Sequence, residues 1–351
     1  MKKNERIIWL DYVRGFAILC VVMNHTLLSI YKFGAEKLMQ ETWCSRLFSV
    51  SMFTVSRLGV PLFLFLTGFL MCGREYSYDR TKSFMKHKWL SLLITTEIWI
   101  VFYNLFYAWF YQTTVNIQIL VSNMLFLRHT QMSHMWYMPM ILGIYLFIPI
   151  LANALSHTDI RILFFPLAVT FFGIFLLNDV NIFFKANGAE GFAWVLDVTF
   201  SGGIYGVCLI LGYLTRKGVF DKIKVPILLA VGALSYGFTV YMQLYSSMHG
   251  VTCTIWYNSA FLLLAALCIF LLASKIKFPS GRLIVNLSTC AFGIFLVHNP
   301  IQMVLLQHVH WKPRSLRLLI STLVVLAISW AVVAIGSKSR LLARTLFFIK
   351  K

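Results

Sequence analysis

The sequence predicts an all-α, polytopic membrane helix bundle of about ten transmembrane helices, and three observations lead to that prediction. The 351 residues are 59% hydrophobic and 12% charged, a proportion that a soluble protein of this length could not bury in its core. Apolar runs close to or above the roughly 20 residues needed to cross a bilayer follow one another along the chain. Basic residues concentrate in alternate segments between those runs, as they do in polytopic membrane proteins.

The apolar runs occupy most of the chain. They lie at residues 7–31, 46–72, 89–112, 133–155, 161–178, 198–215, 225–245, 254–274, 284–306 and 315–336. The runs at 161–178 and 198–215 are short for a span, and the apolar piece at 116–127 is too short to cross, which predicts a re-entrant or interfacial segment. No soluble domain or internal repeat interrupts the series, so we expect one membrane domain over residues 1–351.

The distribution of Lys and Arg predicts the orientation of the bundle. With the N-terminus in the cytoplasm, 21 of the 31 basic residues fall in inner segments, eight in outer segments and two, Arg14 and Arg57, within spans. Both termini are then cytoplasmic, and the net charge of +19 reflects topology and contact with membrane lipid rather than nucleic acid. Asp11 and Arg14 interrupt what would be the apolar region of a secretory signal, so we expect a retained first helix.

The seven cysteines show neither a C-x-x-C pair nor the spacing of metal ligands. Most of them fall within apolar runs, where they are expected to be small core residues. Cys44 and Cys253 both fall in predicted outer segments, which leaves a disulfide between them open without favouring it.

The first span carries ionisable residues on one face. Eleven steps of about 100° separate Arg14 from His25, so both side chains share a helix face and lie roughly 16 Å apart along the axis. Asp11 lies on the same side, and ionisable groups inside a membrane usually mark a functional site. The alternative is that Asp11 and Arg14 neutralise each other at the interface while His25 only makes a contact within the bundle.

Three histidines are predicted near the outer face, in the first, fourth and ninth spans: His25, His134 and His298. Imidazole is the side chain best matched to proton transfer near neutral pH, although a histidine at a helix end is often only an interfacial polar residue. A metal site would require carboxylates or a motif such as H-x-x-x-H, and the sequence has neither here, so we expect no metal.

The inner loop after the second span is strongly basic and includes Lys86 and Lys88. Such a loop suits a polyanion such as the phosphates of a nucleotide, or it serves as an anchor to anionic lipid.

Arg57 lies too deep in the second span to snorkel comfortably and should face a polar cavity. Glu97 is interpreted as the only other buried acid at that depth in the membrane. It would be either a partner of Arg57 or part of a structural ion pair. Gly59, Pro61 and Gly68 indicate a kink or close helix approach.

Taken in order, these features resemble the acyltransferase-3 family of integral membrane acyltransferases, which includes O-acetyltransferases of bacterial surface polysaccharides. The resemblance covers nearly the whole chain. It rests on four blocks: Leu10-Asp11-Tyr12-Val13-Arg14-Gly15 with ten residues between Arg14 and His25, Arg57-Leu58-Gly59-Val60-Pro61-Leu62-Phe63 through Thr67-Gly68-Phe69, His134-Met135-Trp136-Tyr137, and Phe292-Gly293-Ile294-Phe295-Leu296-Val297-His298. Two positions depart from the usual pattern, because Thr67 replaces a common Ser and no Pro follows Lys88. The chain also lacks the SGNH-type domain of some relatives.

The resemblance implies a bacterial cytoplasmic membrane, acetyl-CoA or a related acyl-CoA as cytoplasmic donor, and a glycan or lipid-linked sugar as acceptor. Under this hypothesis cationic side chains hold the CoA phosphates, namely Arg14, Arg57, Lys86 and Lys88. His25 acts as general base or accepts the acyl group itself, and Asp11 orients Arg14. The acceptor side is predicted to comprise His134, Trp136, Tyr137, His298 and Glu97.

Two other functions fit the same sequence. A polysaccharide exporter or flippase would also have ten spans, buried charges and aromatic gates, and would not consume acyl-CoA. A sensor or partner subunit of an envelope machine would tolerate the loss of His25. The acceptor, the acyl group, the choice between direct transfer and an acyl-histidine, and the oligomeric state remain open at this point.

Overall fold

The apolar runs fold into helices whose ends lie close to those of the predicted spans. A computed structural model describes residues 6–130, 132–199 and 202–349, and it places helices but no strands in them. The α-helices are α1 (Ile8–Ile30), α2 (Ala35–Met39), α3 (Trp43–Arg57), α4 (Gly59–Met71), α5 (Tyr78–Phe84), α6 (Leu90–Phe110), α7 (Ile117–Met124), α8 (Tyr137–Ser156), α9 (Phe164–Thr170), α10 (Leu177–Ala186), α11 (Gly203–Arg216), α12 (Val225–Met248), α13 (Ala260–Lys275), α14 (Arg282–His308), α15 (Arg314–Gly336) and α16 (Arg340–Thr345). Four of the basic residues used to predict the orientation, Lys2, Lys3, Lys350 and Lys351, lie outside the described residues.

Across residues 6–130, 132–199 and 202–349, eight helical segments are long and apolar enough to cross a membrane. They are Ile8–Ile30, Trp43–Met71, Tyr78–Phe110, Ser133–Ser156, Ile160–Ala186, Val225–Met248, Arg282–His308 and Arg314–Gly336. The remaining two predicted spans correspond to the shorter apolar helices α11 and α13. The protein is therefore an all-α, multi-pass membrane protein, as predicted, and the apolar piece at 116–127 contains the short helix α7.

The fifth span is longer than the sequence indicated. It was expected to end near residue 178, but the helical segment continues to Ala186. A π-helical turn at Phe171–Leu176 joins α9 to α10, and a second one at Met85–Trp89 joins α5 to α6. Such wide turns are rare and often occur at functional sites. The one at Met85–Trp89 carries Lys88 into the bundle.

The second span contains both the break and the close approach that its glycines predicted. α3 ends at Arg57 and α4 begins at Gly59, with Leu58 between them. A Cβ atom on Gly59 would lie 2.8 Å from the carbonyl oxygen of Ala17 in α1, and one on Gly68 would overlap the carbonyl of Leu209 in α11. Because only glycine permits this backbone proximity, these positions set how closely α4 packs against its neighbours.

Helix α1 lies at the centre of the bundle. It packs against α3, α4, α13, α14 and α15, and its residues Ala17, Ile18, Cys20 and Val22 are fully buried. A central helix can contact membrane lipid only at its ends, so the ionisable face of α1 is directed into the protein interior rather than into the bilayer.

The cysteines are all free thiols, so the disulfide left open between Cys44 and Cys253 is absent. Cys44 is exposed near the start of α3, whereas burial raises the pKa of the Cys253 thiol to about 12. A thiol with a raised pKa is mostly protonated at neutral pH and reacts slowly, because the thiolate is the nucleophile.

The exposed Cys44 provides a test of the predicted orientation. If the end of the bundle at which α1 begins faces the cytoplasm, a membrane-impermeant maleimide added to intact cells should label Cys44. Mass spectrometry of the purified protein would locate the adduct, and Cys44→Ser serves as the control that removes it. Labelling of Cys44 only after the membrane is permeabilised would reverse the orientation.

The contact between α4 and α11 gives a stability prediction. Gly68→Ala should lower the free energy of unfolding by about 1–3 kcal/mol, because the added methyl group overlaps the α11 backbone. The matched control is Gly143→Ala in α8, where a Cβ atom would meet nothing within 4 Å. Thermal unfolding in detergent should show a lower midpoint for Gly68→Ala alone, and equal midpoints for the two variants would contradict the close approach.

Candidate active site

A cavity of about 760 Å³ runs through the bundle beside α1. Its walls come from α1, α3, α4, α8 and α14, together with the π-helical turn at Met85–Trp89 and the chain segment that precedes α13. The charged side chains, histidines, tryptophans and tyrosines that line it are Arg6, Asp11, Arg14, His25, Arg57, Lys88, His134, Trp136, Tyr137, Tyr145, Trp256 and Tyr257. Polar groups far apart in the sequence therefore share one interior space.

Most of the predicted site residues line this cavity. They are Asp11, Arg14, His25, Arg57, Lys88, His134, Trp136 and Tyr137. His298 lies directly behind them, fully buried against the rings of His25 and His134. Lys86 and Glu97 are not among the described residues that line the cavity, and Lys86 is exposed.

The cavity has two chemically different ends. Arg14 donates a hydrogen bond to Ser288 of α14, while His25 packs against His298 of the same helix. Arg14 and His25 are eleven residues apart on α1, and Ser288 and His298 are ten residues apart on α14. Both separations correspond to roughly 15–16 Å along the helix axis. We call the end with Arg6, Arg14 and Lys88 the basic end, and the end with His25, His134 and His298 the histidine end.

At the basic end, Asp11 is held chiefly by Arg6 rather than by Arg14. Arg6 donates from Nε and Nη2 to the two carboxylate oxygens of Asp11 at 2.7 and 2.8 Å. Ser288 accepts a hydrogen bond from Arg14 at 2.9 Å and donates one to Asp11 at 2.6 Å, while Arg14 and Asp11 themselves lie 3.8 Å apart. Asp11 therefore contacts Arg14 both directly, through this longer ion pair, and through the Ser288 bridge.

The basic end keeps a net positive charge. Arg6, Arg14 and Lys88 line it, and Asp11 is the one carboxylate among the described lining residues. The π-helical turn places Lys88 there, with its ammonium group 5.4 Å from the centre of the Phe348 ring. A cavity end lined by three cationic side chains and one carboxylate is suited to a ligand that carries several negative charges.

At the histidine end, three imidazole rings form one cluster. The ring centres of His25 lie 5.2 Å from His298 and 5.8 Å from His134, and those of His134 and His298 are 5.3 Å apart. His134 and His298 are almost completely buried, whereas His25 is partly accessible from the cavity. No group of His, Cys, Asp or Glu in the described parts of the chain is arranged as a metal site, this cluster included.

The hydrogen bonds of the cluster fix which nitrogens carry protons. His298 Nδ1 lies 2.7 Å from the carbonyl oxygen of Phe295, and a carbonyl can only accept, so Nδ1 carries the hydrogen. Tyr103 donates its hydroxyl hydrogen to the carbonyl of Leu296, so its oxygen accepts from His134 Nε2 at 2.9 Å. In neutral rings, His298 Nε2 and His134 Nδ1 are then unprotonated. Both atoms are buried and have no hydrogen-bond partner among the residues that the structure describes.

Arg57 also lies at the histidine end. The neighbouring residue Ser56 donates a hydrogen bond to Asn24, which precedes His25, so the two helices are aligned at this depth. The Arg57 guanidinium is 6% exposed and is surrounded by three aromatic rings, with its carbon 4.6 Å from the centre of Phe53, 4.8 Å from Trp256 and 5.5 Å from Tyr257. Arg14 and Lys88 lie at the other end of the cavity, the basic end.

The predicted partnership of Arg57 with Glu97 is absent. Among the described residues, no carboxylate forms an ion pair with Arg57, and the buried oxygen Oε2 of Glu97 has no hydrogen-bond partner. Glu97 is also not the only other deep acid, because Asp179 of α10 is 1% exposed. The sequence interpretation missed Asp179 because it ended the fifth span at residue 178.

Asp179 supports the wall of the histidine end. It accepts hydrogen bonds from the Ser259 hydroxyl at 3.0 Å and the Phe261 amide at 3.3 Å, at the start of α13. This arrangement caps α13 with a negative charge, which a helix N-terminus favours. The segment just before that cap carries Trp256 and Tyr257, so Asp179 helps to hold the aromatic rings around Arg57.

Four further residues of the site were not singled out from the sequence: Arg6, Ser288, Trp256 and Tyr257. Arg6 had been counted only as an inner positive charge. Trp136 stacks on Tyr257 with ring centres 5.7 Å apart, and its ring centre lies 5.4 Å from that of Trp256. Trp136, which was predicted for the acceptor side, therefore contacts two aromatic residues that were not. The adjacent Trp and Tyr at an outer span boundary were the available signal.

Comparison with known proteins gives one family match. The model of one family, described as an acyltransferase domain, matches residues 7–334. The chain belongs to the acyltransferase-3 family. The match covers every residue that lines the cavity except Arg6 and Phe348, and it identifies the protein as a membrane acyltransferase. Searches of curated proteins and of solved structures found no match.

Proposed function

We propose that the protein moves a short acyl group, acetyl or similar, from acyl-CoA in the cytoplasm to a hydroxyl of an envelope or cell-surface glycan. The protein would act in the cytoplasmic membrane of a bacterium, with the basic end of the cavity toward the cytoplasm. The observation that supports this proposal is the continuous cavity, since it joins a cationic end to an imidazole cluster. A donor on one side and an acceptor on the other could meet within it.

The basic end would bind the phosphates of acyl-CoA. Arg14 is held in place by Ser288, and an arginine fork binds phosphate oxygens through two parallel hydrogen bonds. Lys88 and Arg6 would add charge, and the exposed Lys86 would extend the positive surface at the mouth of the cavity. The flexible pantetheine arm would then extend along α1 and bring the thioester to His25.

At the histidine end, His25 would act as the general base. Its unprotonated nitrogen would take the proton of the acceptor hydroxyl while the hydroxyl oxygen attacks the thioester carbon. The carbon–sulfur bond then breaks, and the protonated His25 returns its proton to the departing CoA thiolate. In the second route, the unprotonated nitrogen of His25 attacks the thioester carbon and the CoA thiolate leaves. The acceptor hydroxyl then takes the acyl group and its proton passes to the released imidazole, so an acyl-enzyme should be trapped in the absence of acceptor.

We further propose that His298 and His134 position His25 rather than contact substrate. Each presents a buried, unprotonated nitrogen to the cluster, so each can accept a hydrogen bond from a protonated nitrogen of His25. A carboxylate has this role in many hydrolases, where it orients the histidine and stabilises its cationic form. The aromatic wall of Trp136 and Tyr137 would then be the surface on which the acceptor sugar lies.

Substitution of His25 tests the proposed function. His25→Ala in purified, lipid-reconstituted protein should lower acyl-CoA-dependent release of CoA by about 100-fold or more, because the proton acceptor is lost. Binding of CoA should persist, since the basic end is unchanged. The matched control is His157→Ala, an exposed histidine beyond the end of α8.

Release of CoA and acylated product would be followed together with acetyl-CoA and a panel of glycans. Turnover that is equal in wild type and His25→Ala would contradict the role of His25. Glycan transport by the wild-type protein without consumption of acyl-CoA would instead support an exporter.

Two substitutions of His298 test its positioning role. His298→Leu removes the accepting nitrogen and should lower kcat by about tenfold or more while the KM for acyl-CoA changes little. His298→Gln retains both a donor for the Phe295 carbonyl and an acceptor for His25, so it should recover a substantial part of kcat. Equal losses in the two variants, or a change confined to KM, would contradict the proposed role.

A further inference from the structure

Arg57 is a buried cation that has no anionic partner among the described residues. Its guanidinium lines the cavity, is 6% exposed, and its Nε atom has no hydrogen-bond partner in that part of the chain. The nearest polar contact is the Tyr257 hydroxyl, at a long 3.4 Å from Nη1. Removing a charge from water without compensation costs several kcal/mol, so an unpaired buried cation is stable only if something offsets that cost.

Another arginine in the same helix shows what a purely structural arrangement looks like. Arg46 is also buried, but it donates to the carbonyl oxygens of Leu38, Met39 and Glu41 at 2.9, 3.2 and 3.1 Å. Its hydrogen-bonding capacity is used within the protein. Arg57 has no such set of oxygens, although both residues lie in α3 at similar burial.

The rings around Arg57 hold the guanidinium without satisfying it. Phe53, Trp256 and Tyr257 lie within 5.5 Å of its carbon, and contacts of this kind lower the cost of burying the charge. Apart from the Tyr257 hydroxyl, at a long 3.4 Å, these side chains offer no acceptor oxygen, so the other N–H groups remain available. The result is a fixed, oriented cation that faces a cavity.

The position of Arg57 narrows down what it binds. It lies at the depth of His25, where the acyl group and the acceptor hydroxyl meet, and not at the basic end, where the CoA phosphates would lie. A stable anion beside the reacting atoms would be carried by the acyl group or by the sugar that accepts it. An acyl group and a sugar can each carry a carboxylate, which an arginine binds through two parallel hydrogen bonds.

We propose that Arg57 is a specificity residue that binds a carboxylate on one of the two substrates, and this inference rests on the proposed function. The carboxylate is either the far end of a dicarboxylic acyl group on CoA or the acid group of a uronic-acid type sugar. In either case the preferred substrate pair would be anionic rather than simple acetyl-CoA with a neutral sugar.

Matched substrate pairs test the inference. Turnover would be measured with succinyl-CoA against acetyl-CoA for one acceptor, and with a glucuronate-containing against a glucose-containing oligosaccharide for one donor. Wild type should favour the carboxylate-bearing member of one pair in kcat/KM. Arg57→Gln should lower that preference by about tenfold or more, because a charge-assisted hydrogen bond is lost.

Two further variants separate recognition from folding. Arg57→Lys retains the charge without the fork and should keep part of the preference. Arg46→Gln removes a buried arginine of the same helix outside the cavity and should leave the ratio as in wild type. An unchanged ratio in Arg57→Gln, or a wild type that favours neither acid, would overturn the inference, and the pair that responds identifies the source of the carboxylate.

Binding keeps the inference testable if no turnover is seen. Isothermal titration of wild type, Arg57→Gln and Arg46→Gln with succinyl-CoA, acetyl-CoA and glucuronate needs no catalysis. Tighter binding of one carboxylate-bearing probe that only Arg57→Gln loses would support the carboxylate site even if the proposed acyl transfer failed. Equal affinities in all three proteins would overturn the carboxylate site independently of the reaction.

Discussion

The cost of placing charged side chains in a membrane interior governs the arrangement of this protein. Helix α1 carries Asp11, Arg14 and His25 through the middle of the bundle, where membrane lipid cannot solvate them. Part of the α1 surface packs tightly against its neighbours, as at Ala17 opposite Gly59, while its ionisable face borders the cavity. The ion pair of Asp11 with Arg6 and the Ser288 bridge to Arg14 satisfy part of this charge from within the protein.

The same cavity separates two tasks along its length. The basic end has cations in excess of its single described carboxylate, whereas the histidine end has three imidazoles, two of which have a buried nitrogen with no hydrogen-bond partner in the described part of the chain. A reaction that begins with a cytoplasmic donor and ends at an outer acceptor needs both kinds of environment. Arg57 adds a third element, a cation beside the reacting groups, which the surrounding rings stabilise but do not neutralise.

Features that depend on residues close in sequence could be predicted. The lengths of the apolar runs gave the spans, the helical period put Arg14 and His25 on one face, and the glycines of the second span indicated the close approach of α4. Features that depend on contacts between distant segments could not. Ser288 lies more than 270 residues from its partners Asp11 and Arg14, and Asp179 acts on the start of α13 from a span whose end was placed too early.

The central claim is that one bound acyl-CoA extends from the basic end of the cavity to the histidine end. A cryo-EM reconstruction of the protein in lipid nanodiscs with bound CoA tests it most directly. We expect the phosphates beside Arg14 and Lys88 and the thiol beside His25. CoA bound on another surface, or bound at the basic end with its thiol directed away from His25, would contradict the account.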